Sequence, residues 1–248
     1  MPPSLARFTL LWLFLLPCAL CSAEPLRVVT EELPPYSMTV NGKPGGMATE
    51  VVQAVLDEMG EPSSIQVMPW ARAYDIALNG RNVLIYSLAR TPAREPLFTW
   101  VEPIASGHWK LYSLDPNLRL HSLDEARRYQ IATVKDDVGE QFLLDNGFEI
   151  GKNLQSSNRY DINYEKLRMG RIDLWIVNET NANYIVKQLG QDPVQTLHPV
   201  LDLDNLGGNG LNIAFSRNTA TETVARFRQG LEKVRASGKL QAIYEKWQ

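Results

Sequence analysis

Short apolar runs alternate along this chain with segments whose apolar residues recur every three or four positions, which predicts strands and amphipathic helices in α/β layers. Residues 26–30 predict a first strand, Pro34-Pro35-Tyr36 forces a turn, and Asn41-Gly42 marks a tight hairpin. Val51, Val52, Val55 and Met59 share one face of a helix over Met47–Met59 that Gly60 stops. Residues 65–67 predict the next strand, ending at Pro69-Trp70, and residues 71–79 a helix stopped by Gly80.

The same logic repeats further on. Residues 109–114 read as a strand, Ser122 with Glu125 as a capping box opening a short helix, and 130–134 as a strand feeding a loop at Lys135-Asp136-Asp137 and a helix over 139–145. Asp161 is expected to cap the helix carrying Tyr164, Leu167 and Met169, which Gly170 ends. Residues 172–177 predict a buried strand with Asn178-Glu179-Thr180 at its carboxyl end, where open α/β sheets place their ligands. After Gly207-Gly208-Asn209-Gly210, residues 211–216 predict a last strand. A helix with Val224, Phe227, Leu231 and Val234 on one face follows, then a break at Gly238 and a final helix over 239–247.

The first residues follow neither pattern. Arg7 precedes an unbroken apolar run over 8–20, the length of a signal-peptide core and short for a membrane span, and Cys21-Ser22-Ala23 offers small residues for cleavage before Glu24. Residues 1–23 are therefore expected to be a cleavable signal peptide and the mature chain to be periplasmic. Anchoring as a lipoprotein through Cys21 is the minor alternative, because Leu20 stands where a small residue is needed. Both cysteines, Cys18 and Cys21, fall in this segment, leaving no disulfide or thiolate chemistry. Arg7 is its only charge, so the net charge moves from −3 to −4 when it goes. That mild acidity gives no footprint for nucleic acid. No Pro/Gly-rich linker divides the rest, which suits one large domain or two lobes joined by short ordered crossings.

The stretch from Ser87 to Trp100 carries the most suggestive chemistry. A strand ends in small residues that let backbone approach a ligand, and the following turn offers an arginine fork matched to a carboxylate. On spacing alone, Arg94 reads first as a surface residue paired with Glu95 or Glu102.

In order along the chain, the Pro-Pro-Tyr turn, the helix start near Gly46, the Thr91-Pro92-Ala93-Arg94 turn with its following Phe98-Thr99, Gly170-Arg171-Ile172-Asp173 and the Gly-broken C-terminal helix pair form a recognisable series. The chain resembles the family-3 extracellular solute-binding proteins, periplasmic receptors for polar amino acids that feed ABC importers. The resemblance implies an α/β, periplasmic-binding-protein-like fold of two lobes with mainly parallel sheets joined by two hinge crossings. Lobe 1 would comprise residues 26–107 and 206–248, and lobe 2 residues 108–205. A monomer binding a small polar solute in the cleft, for an inner-membrane ABC permease or a membrane sensor, is expected, with no cofactor, metal or nucleic acid. Micromolar affinity, about −8 kcal/mol, is plausible from few contacts once closure excludes water.

Mapped onto these positions, the resemblance makes Arg94 the grip for the ligand's carboxylate, with Ser87 and the Ala89 backbone beside it. Arg90 is a second anion contact or a solvated side chain. Tyr36 and Trp70 read as aromatic walls or as core, and Trp100 and Trp109 as structural. From lobe 2 come Asp137, Val138, Asn178 and Glu179. Two of these depart from the family pattern. Asn178 stands where an aspartate takes the ligand's α-ammonium, and Val138 where a hydroxyl is expected. The expected ligand is therefore a carboxylate without an α-ammonium, or a cation held by Asp136, Asp137 and Glu179.

Other chemistries carry less. His108, His121 and His198 lack metal-ligand spacing. Gly207-Gly208-Asn209-Gly210 precedes a strand, so it reads as a hinge and not a phosphate loop, and the sequon at Asn178 is incidental. The rival from another class is a cyclohexadienyl-dehydratase-like enzyme, in which Glu179 protonates a leaving hydroxyl while Arg94 holds a carboxylate. A ligand sensor on a signalling receptor keeps the same cleft with a different partner.

Overall fold

The computed structural model describes residues 24–203 and 206–247. The chain runs β1 (Arg27–Glu31), β2 (Met38–Val40), β3 (Lys43–Gly45), α1 (Met47–Met59), β4 (Ile65–Met68), α2 (Trp70–Asn79), β5 (Val83–Ala89), β6 (Phe98–Ala105) and β7 (Trp109–Ser113). It continues through β8 (Ile131–Val134), α3 (Val138–Asp145), β9 (Leu154–Ser157), α4 (Tyr160–Arg168), β10 (Leu174–Asn178), α5 (Glu179–Gln188), α6 (Pro193–Thr196), β11 (His198–Asp202), β12 (Leu211–Ser216), α7 (Thr221–Ala236) and α8 (Lys239–Trp247). The signal-peptide expectation lies outside the described residues.

Two five-stranded sheets carry the fold, one ordered β4-β1-β5-β12-β6 and the other β11-β7-β10-β8-β9. The first draws strands from both ends of the chain and the second from its middle, giving two lobes. The expected parallel pairing holds in half of each sheet. β1 runs parallel to β4 and β5, and β8 parallel to β9 and β10. The remaining pairs are antiparallel, β12 with β5 and β6, and β7 with β10 and β11. Topology causes this: chain leaving the first sheet along β6 enters the second along β7, then returns from β11 into β12, which lies against β6 in the opposite direction.

The predicted elements that carry strong periodicity are present. Asn41 and Gly42 both take positive φ, 51° and 75°, as the two-residue turn of the β2–β3 hairpin. Helix α1 buries Val51, Val52, Val55 and Leu56 and ends at left-handed Gly60, whose N–H caps the last turn. On α7, Val224, Phe227, Leu231 and Val234 are all buried.

Several local expectations need correction. The Glu125 carboxylate accepts from the His121 N–H at 3.0 Å, and Ser122 caps nothing; the segment is a short 3-10 helix over Asp124–Arg128. Arg159, not Asp161, is the N-cap residue of α4, because Asp161 sits in the first turn and pairs with Arg159. Strands β6 and β11 escape the hydrophobic pattern because both are sheet edges carrying proline, Pro103 and Pro199, where an outward N–H is not needed. Strand β9 is also an edge and buries only Leu154.

The two crossings meet at one ring. Trp109 is buried against Gly107 of the first crossing and Gly207 of the second, and a Cβ at either glycine would overlap the indole. Gly46 is equally constrained at the start of α1, with φ 106° and a hypothetical Cβ 2.6 Å from the Tyr36 carbonyl. Gly46→Ala is expected to destabilise by about 1–3 kcal/mol, read as a lower urea midpoint; an unchanged midpoint would mean the turn relaxes freely.

Candidate functional site

The cleft site assembles where strand ends of both sheets face each other. Strand β5 is continuously apolar until Ser87, whose φ of 61° falls at a bulge opposite β12, between the pairs Ala214 with Ile85 and Asn212 with Leu88. Such bulges re-aim the strand end. Ser87 is buried and its hydroxyl receives a hydrogen bond from Ser37 at 3.3 Å. The chain then turns through Thr91, where the Arg94 N–H returns to the Thr91 carbonyl at 3.0 Å, and this directs Arg94 inward.

Arg94 is 1 % exposed. Its guanidinium lies over the rings of Trp70 and Tyr74, 5.3 and 5.0 Å from their centroids. Nη1 donates to the Ala89 carbonyl at 3.3 Å, Nη2 to the Asp136 carbonyl at 3.3 Å, and Nε and Nη2 both to the Gln141 amide oxygen at 3.2 and 3.1 Å. The surface pairings weighed from sequence belong to other residues: Glu95 pairs with Arg90 at 2.6 Å and Glu102 with Arg235. Arg90 is a half-buried ion-pair partner lying over Trp100.

Trp70 is a wall of a different kind from the one expected. It stacks on Tyr74 and on Arg94, and its Nε1–H reaches across the lobes to the Asp136 carbonyl at 2.8 Å. It braces the arginine. Tyr36 also reaches across, donating to Asn178 Oδ1 at 3.3 Å beside the Ser106 carbonyl at 3.4 Å. A further interlobe bond runs from Asn181 Nδ2 to the Pro34 carbonyl at 2.6 Å.

In lobe 2 the structure separates the four expected residues. Asp137 is buried in the seam, capping α3 through a 2.6 Å bond from the Val138 N–H and accepting from Tyr160 at 2.8 Å. Val138 contributes an apolar side chain to a separate groove with Thr91, Pro92, Ala93 and Phe142. Asn178 is the N-cap of α5: its Oδ1 accepts from the Thr180 and Asn181 N–H groups as well as from Tyr36, which occupies the oxygen that was expected to meet a ligand. Glu179 pairs with Lys110 at 3.0 Å, while the Arg94 guanidinium donates to Gln141, Asp136 and Ala89. Asp136 is exposed, and its carbonyl accepts from Arg94 and Trp70 in the seam.

Two residues that sequence reasoning missed complete the seam. Glu31 ends β1, buried, and Tyr160 opens α4. The signal for Glu31 was available: an acidic residue closing an apolar strand, at the sheet end where ligands bind. Burial, reinforced by the Asp137 charge, holds the Glu31 carboxyl well above its usual range, while Arg94 and Tyr160 pull it down. Burial likewise raises Asp137 against the pull of Arg94 and Tyr160, and burial with the two carboxylates raises Tyr160.

A pH dependence of stability follows. A carboxyl whose pKa is higher folded than unfolded binds its proton more tightly when folded. Its stabilisation is complete below the unfolded value of about 4 and is lost as pH rises through the folded value. The urea midpoint is expected to fall as pH climbs from about 4 through the titration of Glu31 and Asp137. Glu31→Gln is expected to flatten that fall, and an equal slope in wild type and variant would contradict it.

Among the described residues no group of His, Cys, Asp or Glu is placed to hold a metal ion, and no helix is long and apolar enough to cross a membrane.

A solved histidine kinase sensor domain similar to periplasmic binding proteins superposes with TM-score 0.77 at 22% identity, over 90% of this chain and 95% of that one. An ancestral arginine-binding protein bound to arginine gives TM-score 0.75 at 20% identity, covering 90% and 97%. The arginine-, lysine-, histidine-binding protein ArtJ from Geobacillus stearothermophilus gives 0.73 at 19%, covering 90% and 95%. No curated relative matches in sequence. The family model for bacterial extracellular solute-binding proteins, family 3, matches residues 26–248, so two mixed sheets, two crossings and a cleft lined by opposed strand ends belong to a member of that family.

Proposed function

We propose that this protein is a periplasmic receptor that captures a small polar solute in the cleft between its lobes and presents it to an inner-membrane ABC permease. The observation that carries this reading is Arg94: a fully buried guanidinium at the interlobe seam, held flat by two aromatic rings, with acceptors drawn from both lobes. A solute carboxylate would exchange for the Gln141 amide oxygen, gaining a charged acceptor for a neutral one at a desolvated donor fork. Ser87, Ala89, Tyr36, Trp70 and Asp137 line or brace the same seam. Binding is preferred over catalysis because the Glu179 carboxylate is engaged by Lys110.

A second reading, a sensor subunit of a signalling receptor, is favoured by the likeness to a histidine kinase sensor domain. It keeps the cleft and changes the membrane partner.

The test is a thermal-shift screen of the chain from Glu24 against amino acids, their deaminated analogues, polyamines and small dicarboxylates. A solute at a hundred times its Kd is expected to stabilise by about 2.7 kcal/mol. No shift with any class, and none with prephenate, would overturn solute capture. Crosslinking of the loaded protein in membranes to a permease or to a kinase separates importer from sensor.

A further inference from the structure

Asp136 takes a left-handed backbone conformation, φ 59°, in the turn between β8 and α3, where a residue other than glycine pays a steric cost. The buried Glu140 side chain holds it there. One carboxylate oxygen accepts from the Asp136 N–H at 2.9 Å and the other from the Thr133 hydroxyl at 2.7 Å. The turn fixed in this way aims the Asp136 carbonyl into the seam. There it gathers three donors: Trp70 Nε1 at 2.8 Å, Gln141 Nε2 at 2.9 Å and Arg94 Nη2 at 3.3 Å.

Gln141 lies on α3 and is oriented at both ends of its amide. Its Nε2 donates to the Asp136 carbonyl, which turns its oxygen to Arg94, where it bridges Nε and Nη2 at 3.2 and 3.1 Å. Those two nitrogens form one edge of the guanidinium, the kind of edge that a carboxylate engages with two parallel bonds. The other partners of Arg94 are the Ala89 and Asp136 carbonyls, so its hydrogen-bond acceptors among the described residues are all neutral. Gln141 is half-buried and borders a groove of about 250 Å³ with Thr91, Pro92, Ala93 and Phe142, which gives the amide room to swing off the arginine.

We propose that Gln141, braced on the Asp136 carbonyl, is an internal competitor for Arg94 that sets the threshold of solute capture. This rests on the solute-capture reading and adds to it a residue that opposes capture. The amide oxygen holds the guanidinium edge that a solute carboxylate needs, so a solute binds only by displacing it. A carboxylate exchanges a neutral acceptor for a charged one and gains by doing so; a neutral carbonyl exchanges like for like and gains little. Apparent affinity is the intrinsic affinity reduced by the fraction of molecules in which the edge is free. A hydrogen bond from a charged donor is strong enough to make that reduction about tenfold or more. The Trp70 and Arg94 bonds to the Asp136 carbonyl do not involve Gln141, so the arginine stays in place when the competitor is removed.

The experiment is calorimetric titration of the chain from Glu24 with L-glutamate, L-arginine, glutarate and succinate, in wild type, Gln141→Leu and Gln141→Glu. Gln141→Leu removes the acceptor and is expected to tighten the best-bound of these solutes by about tenfold or more. Gln141→Glu is nearly isosteric and gives the arginine a charged acceptor of its own, so it is expected to weaken the same solute by about tenfold or more. A residue that contacts the solute directly would give the opposite sign for Gln141→Leu, and a bystander would give no change in either variant. Weaker binding in Gln141→Leu, or equal affinity in all three proteins, would overturn the competitor and leave solute capture standing. No binding of any of the four solutes by wild type or by Gln141→Leu would overturn the competitor together with carboxylate capture at Arg94.

Discussion

Replacing Arg94 with alanine is expected to abolish solute capture and to destabilise the chain by about 3–5 kcal/mol, the range found when one member of a buried charged set is removed. Among the described residues Arg94 is the positive group acting on both Glu31 and Asp137, so its loss strands two buried carboxylates and takes from the Gln141 amide oxygen the donors it has in the seam. The loss is expected to be smaller at low pH, where the carboxyls take protons, and partly recovered in the double variant Arg94→Ala with Glu31→Gln. Arg94→Lys keeps the charge but not the planar fork, so it should retain most of the stability and little of the binding. Urea denaturation at two pH values reads the first effect and calorimetry the second. A stability unchanged by Arg94→Ala would show that the carboxylates are balanced by something else.

Trp70→Ala carries the next largest effect, about 3–5 kcal/mol, as for other buried aromatic truncations. The ring is 2 % exposed and supports Tyr74 and Arg94, so a cavity would open beneath the guanidinium. Trp70→Phe separates the two roles of this side chain. It keeps a ring under the arginine and removes the interlobe bond to the Asp136 carbonyl, for a cost of about 1 kcal/mol. That variant is expected to be folded, with lobes that close less readily and a lower affinity. Small-angle scattering with and without solute reads closure, and identical compaction of Trp70→Phe and wild type would contradict a bracing role.

What was legible in the sequence follows from where each signal resides. Elements buried on one face show in periodicity, which is why α1, α7 and the β2–β3 turn stand where the pattern puts them. The edge strands β6, β9 and β11 are pinned by pairing with a neighbour, so their own residues need not alternate. The site divides the same way. Arg94 and Asp137 are visible because a turn and a strand end announce them. Glu31 carries a signal, an acid closing an apolar strand, that gains its meaning only when β1 is set beside the facing lobe, and Tyr160 looks like helix core. Gln141 is an unremarked helix residue until the lobes meet. Asn178 shows the converse: at a strand end facing the cleft, its side chain turns back to cap the helix it opens. Local hydrogen bonding decided its role, and no spacing rule reports that choice.

The measurement that bears most directly on interlobe capture is a crystal structure of the chain from Glu24 grown with its tightest-binding solute. The predicted result is a solute enclosed at the seam, with an acceptor about 2.7–3.2 Å from the Arg94 guanidinium in place of the Gln141 oxygen. A solute lodged only in a surface groove, with Arg94 still donating to Gln141 and Asp136, would contradict the account.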